Sequence, residues 1–168
     1  MTSRLTPLAA VHCVAAVVTT LAMGNAVSQS MPKEGNYDYI SCWSGTSNDI
    51  QFSKAHSFGH FEWVVNNRTN PAGGPFDMTV ARCLGMYTFF EGKLVPLSYC
   101  EAIDKDGDKF ILQNLIEGGK PRQEGIAGTG KYEGMTRTGT TEMLGRFPTI
   151  KPGVLTGCAR QTGTYKMK

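Results

Sequence analysis

His56, His60 and Glu62 lie close together in the chain, and imidazole and carboxylate are the groups that bind zinc or iron. On an extended strand, residues four apart are separated by about 13 Å, too far to share one ion. No metal site is therefore expected, and the bland reading is a solvated strand face. Only His60 and Glu62 stay close enough to work together, as an acid–base pair in a pocket. Arg82 lies among apolar neighbours, so it either reaches a rim or pairs with a carboxylate such as Glu62 or Glu101. His60, Glu62, Arg82 and Glu101 are the candidate catalytic residues.

Two other clusters invite chemistry and fail their templates. Gly125-x-x-Gly128-x-Gly130-Lys131 is glycine-rich and ends in lysine, but it lacks phosphate-loop spacing, and Tyr132 stands where the magnesium-binding hydroxyl belongs. Five glycines between Gly125 and Gly139 suit strand, tight corner and strand better than a helix. Asp104, Asp106 and Asp108 begin like a calcium loop, yet Lys109 replaces the required glycine and Leu115 the glutamate. Asp106-Gly107 between two strand-like runs is instead a hairpin signal. No Gly-x-Ser-x-Gly and no His-Glu-x-x-His occurs, and no cofactor is called for.

The elements that carry these residues read as strands. Tyr37–Trp43 is aromatic and β-branched, Ser44–Asn48 reads as a turn, and Asp49–Ser53 as a short strand or continuation. His56–Asn66 alternates. His56, Phe58, His60, Glu62 and Val64 share one face; Gly59, Phe61, Trp63 and Val65 share the other, more apolar one. Which of the two faces points inward is left open. Asn66–Pro75 is a loop long enough to cover a barrel mouth, and Asn67-Arg68-Thr69 fits a glycosylation sequon. Strands are expected over Phe76–Phe90, Leu94–Asp104, Phe110–Ile116, Gln123–Gly130, Tyr132–Met143 and Val154–Arg160. Turn signals recur between them and no helical period is sustained, the pattern of an all-β barrel or sandwich.

Residues 1–28 read as a signal peptide: Arg4, an apolar run from Leu5 to Met23, then Ala26-Val27-Ser28 as a cleavage site. An uncleaved anchor is the alternative. Cleavage leaves about 140 residues, enough for one domain, with 29–36 a disordered leader and 37–168 the folded part. The formal charge is +3 with no basic cluster, so nucleic acid is not an expected partner, and no later apolar run spans a bilayer. Export, periplasmic or extracellular, makes Cys42, Cys83, Cys100 and Cys158 candidates for two disulfides, with three pairings open.

Gly128-Thr129-Gly130-Lys131-Tyr132-Glu133-Gly134 resembles the Gly-Thr-Gly-Lys/Arg-Tyr/Phe-x-Gly signature of the allene oxide cyclase and dirigent-type β-barrels. Where that family often continues Ile-x-Gly, this chain has Met135 and Arg137. The likeness covers mainly residues 98–140, including the aspartate hairpin. It implies a small antiparallel barrel of about eight strands, often oligomeric, with an apolar lumen. In such a barrel neighbouring strands pair and the last meets the first, which favours Cys83–Cys100 and Cys42–Cys158. The matching segment is a structural signature, so no catalytic residue carries over.

A barrel of this size has room for one small ligand or none. The resulting expectation is an exported barrel holding a small, mostly apolar molecule, with Phe58, Trp63, Met78, Tyr87 and Tyr99 as candidate lining residues. The alternatives are a structural or interaction barrel, a homo-oligomer as the resemblance implies, and a cyclase- or dirigent-like enzyme steering a reactive intermediate.

Overall fold

The computed structural model describes residues 31–149 and 151–168, so the expected signal peptide lies outside the described residues. Eight strands run Glu34–Ser53 (β1), His56–Thr69 (β2), Val80–Phe90 (β3), Lys93–Ile103 (β4), Lys109–Glu117 (β5), Lys120–Gly128 (β6), Thr136–Arg146 (β7) and Val154–Lys166 (β8). Each pairs antiparallel with the next, and β8 pairs with β1, closing the barrel. Period-2 alternation then decides what faces the lumen. Tyr37, Tyr39 and Ser41 of β1 are buried, as are Phe61 and Asn67 of β2, Ala81 and Cys83 of β3, and Ser98, Cys100 and Ala102 of β4.

Both expected disulfides are present. Cys83 lies directly across from Cys100, and Cys42 across from Cys158. Cys83 and Cys100 line the lumen. Cys42 and Cys158 occupy the opposite parity, between the inward residues Ser41 and Ala159, on the outer wall.

The strand boundaries differ from the sequence reading where glycine serves volume rather than turning. Ser44–Asn48 is not a turn but the middle of β1; the chain reverses at Lys54-Ala55. Gly45 leaves room for Trp63 on the neighbouring strand, where any Cβ would collide. Glu34–Asn36 is strand rather than disordered leader, since it pairs with Thr164–Lys166. Tyr132 belongs to a 3-10 turn, Gly130–Tyr132, rather than to a strand.

The run from Phe76 to Thr79 is not strand either. Phe76 and Met78 have φ of 68° and 58°, a left-handed conformation uncommon for such side chains. The Asp77 carboxylate anchors this stretch by accepting from the Thr69 and Gly73 N–H groups at 3.0 and 2.8 Å. Burial would raise that carboxyl, but these backbone donors outweigh it and hold it below its ordinary value. The result turns Phe76 into the barrel, where it is 2% exposed. Its ring packs 5.3–5.6 Å from those of Tyr37, Phe110 and Tyr165. The loop expected to cover a mouth thus closes one end with a single aromatic plug.

The glycine-rich corner sits beside that plug. Lys131 N–H donates to Asp108 at 3.2 Å, and Lys131 Nζ contacts Asp104 at 2.6 Å and Asp106 at 2.7 Å. Asp104 also accepts from the N–H groups of Asp106 and Asp108. The loop's lysine and the hairpin's carboxylates are therefore spent on one another, which leaves neither a phosphate cradle nor an open calcium loop. Gly130 is required here: its φ is +54° and a Cβ would strike the Asp108 carboxylate.

Candidate functional site

Beyond the plug the lumen opens into a cavity of about 480 Å³, within the range that holds a small ligand. Its residues extend toward the end with the short turns, where Asp49, Leu94, Arg122 and Arg146 form the mouth. Its walls are aromatic and aliphatic, with Phe61, Trp63 and Leu112 among them. Phe61 and Trp63, two apart on β2, stack at 4.0 Å, and Trp43 stacks on Trp63 from β1 at 5.5 Å. This is the more apolar face of β2, turned inward because burying it removes the most apolar surface from water.

A polar belt crosses the cavity above the plug. Ser41 donates to Asn67 Oδ1 at 2.6 Å, and Asn67 Nδ2 donates to Thr79 at 2.8 Å. Asn67 is 4% exposed and so committed that the sequon at Asn67-Arg68-Thr69 presents no acceptor on the folded surface. Across the lumen, Gln123 donates to Asn114 at 2.9 Å, and Asn114 donates to Ser98 at 3.2 Å and to Cys100 Sγ at 3.3 Å. Behind them lies Arg137, 2% exposed, donating to Tyr39 Oη at 2.9 Å and to Gln123 Oε1. Burial raises the Tyr37 phenol beside it above its ordinary value, against the opposing pull of Arg137.

At the mouth, the Tyr87 hydroxyl donates to Asp49. Burial, then this bond to a carboxylate, pushes the phenol up to about 12, so Tyr87 stays a neutral donor at physiological pH.

Of the residues expected at the site, Trp63 and Tyr87 line the cavity. The others do not. Phe58, His60, Glu62, Arg82, Tyr99 and Glu101 all have outward parity and are exposed. Arg82 pairs with Glu62 at 2.7 Å and Glu101 with Lys109 at 2.7 Å, on the outside of the barrel. His60 Nε2 faces Asn48 at 3.4 Å. Met78 sits in the plug loop, half exposed. The polar groups that do converge are Tyr39, Ser41, Asn67, Ser98, Asn114, Gln123 and Arg137, which the sequence reading did not select. Its signal for them was parity: each falls in step with a buried aromatic, cysteine or alanine on its own strand or the neighbouring one.

The chain matches no family, no curated protein and no solved structure with which it was compared.

Proposed function

We propose that this protein is an exported barrel that holds one small, mostly apolar molecule in its lumen. The observation that carries this reading is the cavity of about 480 Å³, walled by stacked aromatics and left unfilled by the chain's own side chains. A purely structural barrel of eight strands fills its interior. The two disulfides support an oxidising destination, since such bonds persist there. The resemblance of Gly128–Gly134 to the allene oxide cyclase and dirigent barrels points the same way, toward an apolar lumen. An enzymatic version would have to draw on the inner polar belt, because His60, Glu62, Arg82 and Glu101 face outward.

Native mass spectrometry of the protein from its own host tests the reading. The expected result is a discrete added mass that disappears on denaturation. A protein that is empty natively, and that takes up no apolar probe when one is offered, overturns it.

A second reading is supported by the outer wall. Across β2–β4, Val64, Val80, Leu84, Met86, Leu97, Tyr99 and Ile103 lie exposed on adjacent strands. A patch of this kind marks an interaction surface. Its charges already cancel in the pairs Glu62–Arg82 and Glu101–Lys109. A neutral, apolar face of this sort suits a second copy of the chain better than a charged partner.

A further inference from the structure

The floor of the lumen holds a charge without a counter-charge. Among the described residues, no ion pair includes Arg137. Its guanidinium lies 4.2 Å from the Tyr37 ring centre and 4.4 Å from that of Phe76. Its Nε and Nη1 have no acceptor at all. Aromatic faces stabilise a desolvated cation only modestly, whereas burying an ion without a partner costs considerably more.

The hydrogen bonds around it run in one direction. Arginine can only donate, so Gln123 Oε1 must accept, which turns its amide nitrogen toward Asn114. Asn114 Oδ1 therefore accepts, and its nitrogen donates to Ser98 Oγ. The second Asn114 N–H goes to Cys100 Sγ, so the Ser98 hydroxyl hydrogen and one N–H on Gln123 are left over. Gln161 Oε1 accepts from Thr141 at 2.7 Å, which leaves its amide hydrogens free on the far wall. Ser41 gives its hydrogen to Asn67 and is the exception. Each donor is polarised by the one before it. Ser98, Asn114, Gln123 and Gln161 all line the cavity.

We infer that the lumen takes an amphipathic molecule with its acidic end innermost: an apolar body against Phe61 and Trp63, and a carboxylate accepting from Ser98 and Gln123. Arg137, one layer behind Gln123, is its counter-charge. This rests on the lumen reading above and narrows it to a carboxylate-bearing class. In a cavity of low effective dielectric, a charge one layer away still acts strongly.

Binding of dodecanoic acid, dodecanol and methyl dodecanoate, followed at neutral pH by the fluorescence of Trp43 and Trp63, tests it. The acid should bind at least tenfold more tightly than the alcohol or ester. Gln123→Glu places a carboxylate of the chain's own against Arg137 and should abolish that preference while the alcohol still binds. Ser98→Ala, a smaller change at the cavity end, should reduce it several-fold. Equal binding of all three probes overturns this inference and leaves the lumen reading standing. Binding of none overturns both. A preference for the acid that survives both substitutions places the carboxylate at the mouth, near Arg146, and also overturns it.

Discussion

Tyr37 fits in the barrel because two facing residues have no side chain. Gly139 and Gly163 are register partners on β7 and β8, and a Cβ on either would press into the Tyr37 hydroxyl. These glycines answer to volume, not to turning. Gly139→Ala must displace a buried ring or the neighbouring strand, and overpacking of this kind costs about 1–3 kcal/mol. Denaturant unfolding should show that loss. Thr140→Ala, next in sequence but on the outer face, should leave stability within about 0.5 kcal/mol. Equal effects of the two would show that the space around Tyr37 is not tight.

At the scale of elements, the hairpin between β4 and β5 is clasped to the corner between β6 and β7. Burial alone would raise the Asp104 carboxyl, but the Lys131 ammonium and the Asp106 N–H outweigh it and hold it below its ordinary value of 3.8. A carboxyl with a lowered folded pKa stabilises fully above its unfolded pKa. It loses that contribution as the pH falls through the lower, folded value. Thermal melts should therefore show a stability loss that begins near the unfolded value and deepens under more acid conditions. Asp104→Asn should cost about 1–2 kcal/mol at neutral pH and flatten that acid limb. An unchanged limb would assign it to other carboxyls, Asp77 first.

The same clasp shows what was legible in the sequence. Asp106-Gly107 announced a hairpin, and Gly125–Gly139 a strand, a corner and a strand. Both are present, because turn chemistry is local. The disulfide pairing followed once a closed antiparallel barrel was assumed, since closure alone brings Cys42 to Cys158. The site was not legible to the same degree. His60, Glu62, Arg82 and Glu101 attracted attention as titratable types, but their parity is that of the solvated face. Arg137 was passed over because one charged residue in a threonine- and glycine-rich strand looks like surface. Only the register, with Tyr37, Tyr39 and Gln123 converging from two other strands, reveals it as buried. An apolar side chain makes Phe76 look like strand in the sequence; its left-handed backbone goes with the Asp77 anchor and turns the ring into the end of the barrel.

The whole barrel has two unlike outer halves. β7, β8 and the start of β1 present Thr138, Thr140, Thr162 and Thr164 with the Asp38–Arg160 ion pair, whereas β2–β5 present aliphatic side chains. A lipid-facing barrel needs an apolar band around its full circumference; the threonines of β7 and β8 interrupt one, and Leu144 and Phe147 are the exposed apolar residues at the mouth end of that side. The one-sided apolar wall instead fits self-association. Sedimentation velocity over a concentration series should show a dimer or higher species, shifted toward monomer by Leu84→Glu on the wall and unaffected by Thr140→Glu opposite it. A single monomeric species at all concentrations would leave the wall without a second copy.

The two disulfides stand on opposite sides of the same wall, Cys83–Cys100 facing the cavity and Cys42–Cys158 facing out. The inner bridge is therefore a built-in gauge of occupancy. A small thiol reductant must pass the mouth and share the cavity with whatever is already there. A lodged molecule should slow reduction of Cys83–Cys100 and leave that of Cys42–Cys158 untouched. Timed alkylation of the four cysteines, with and without an apolar probe, would read the contents of the barrel from the order in which its own cross-links open.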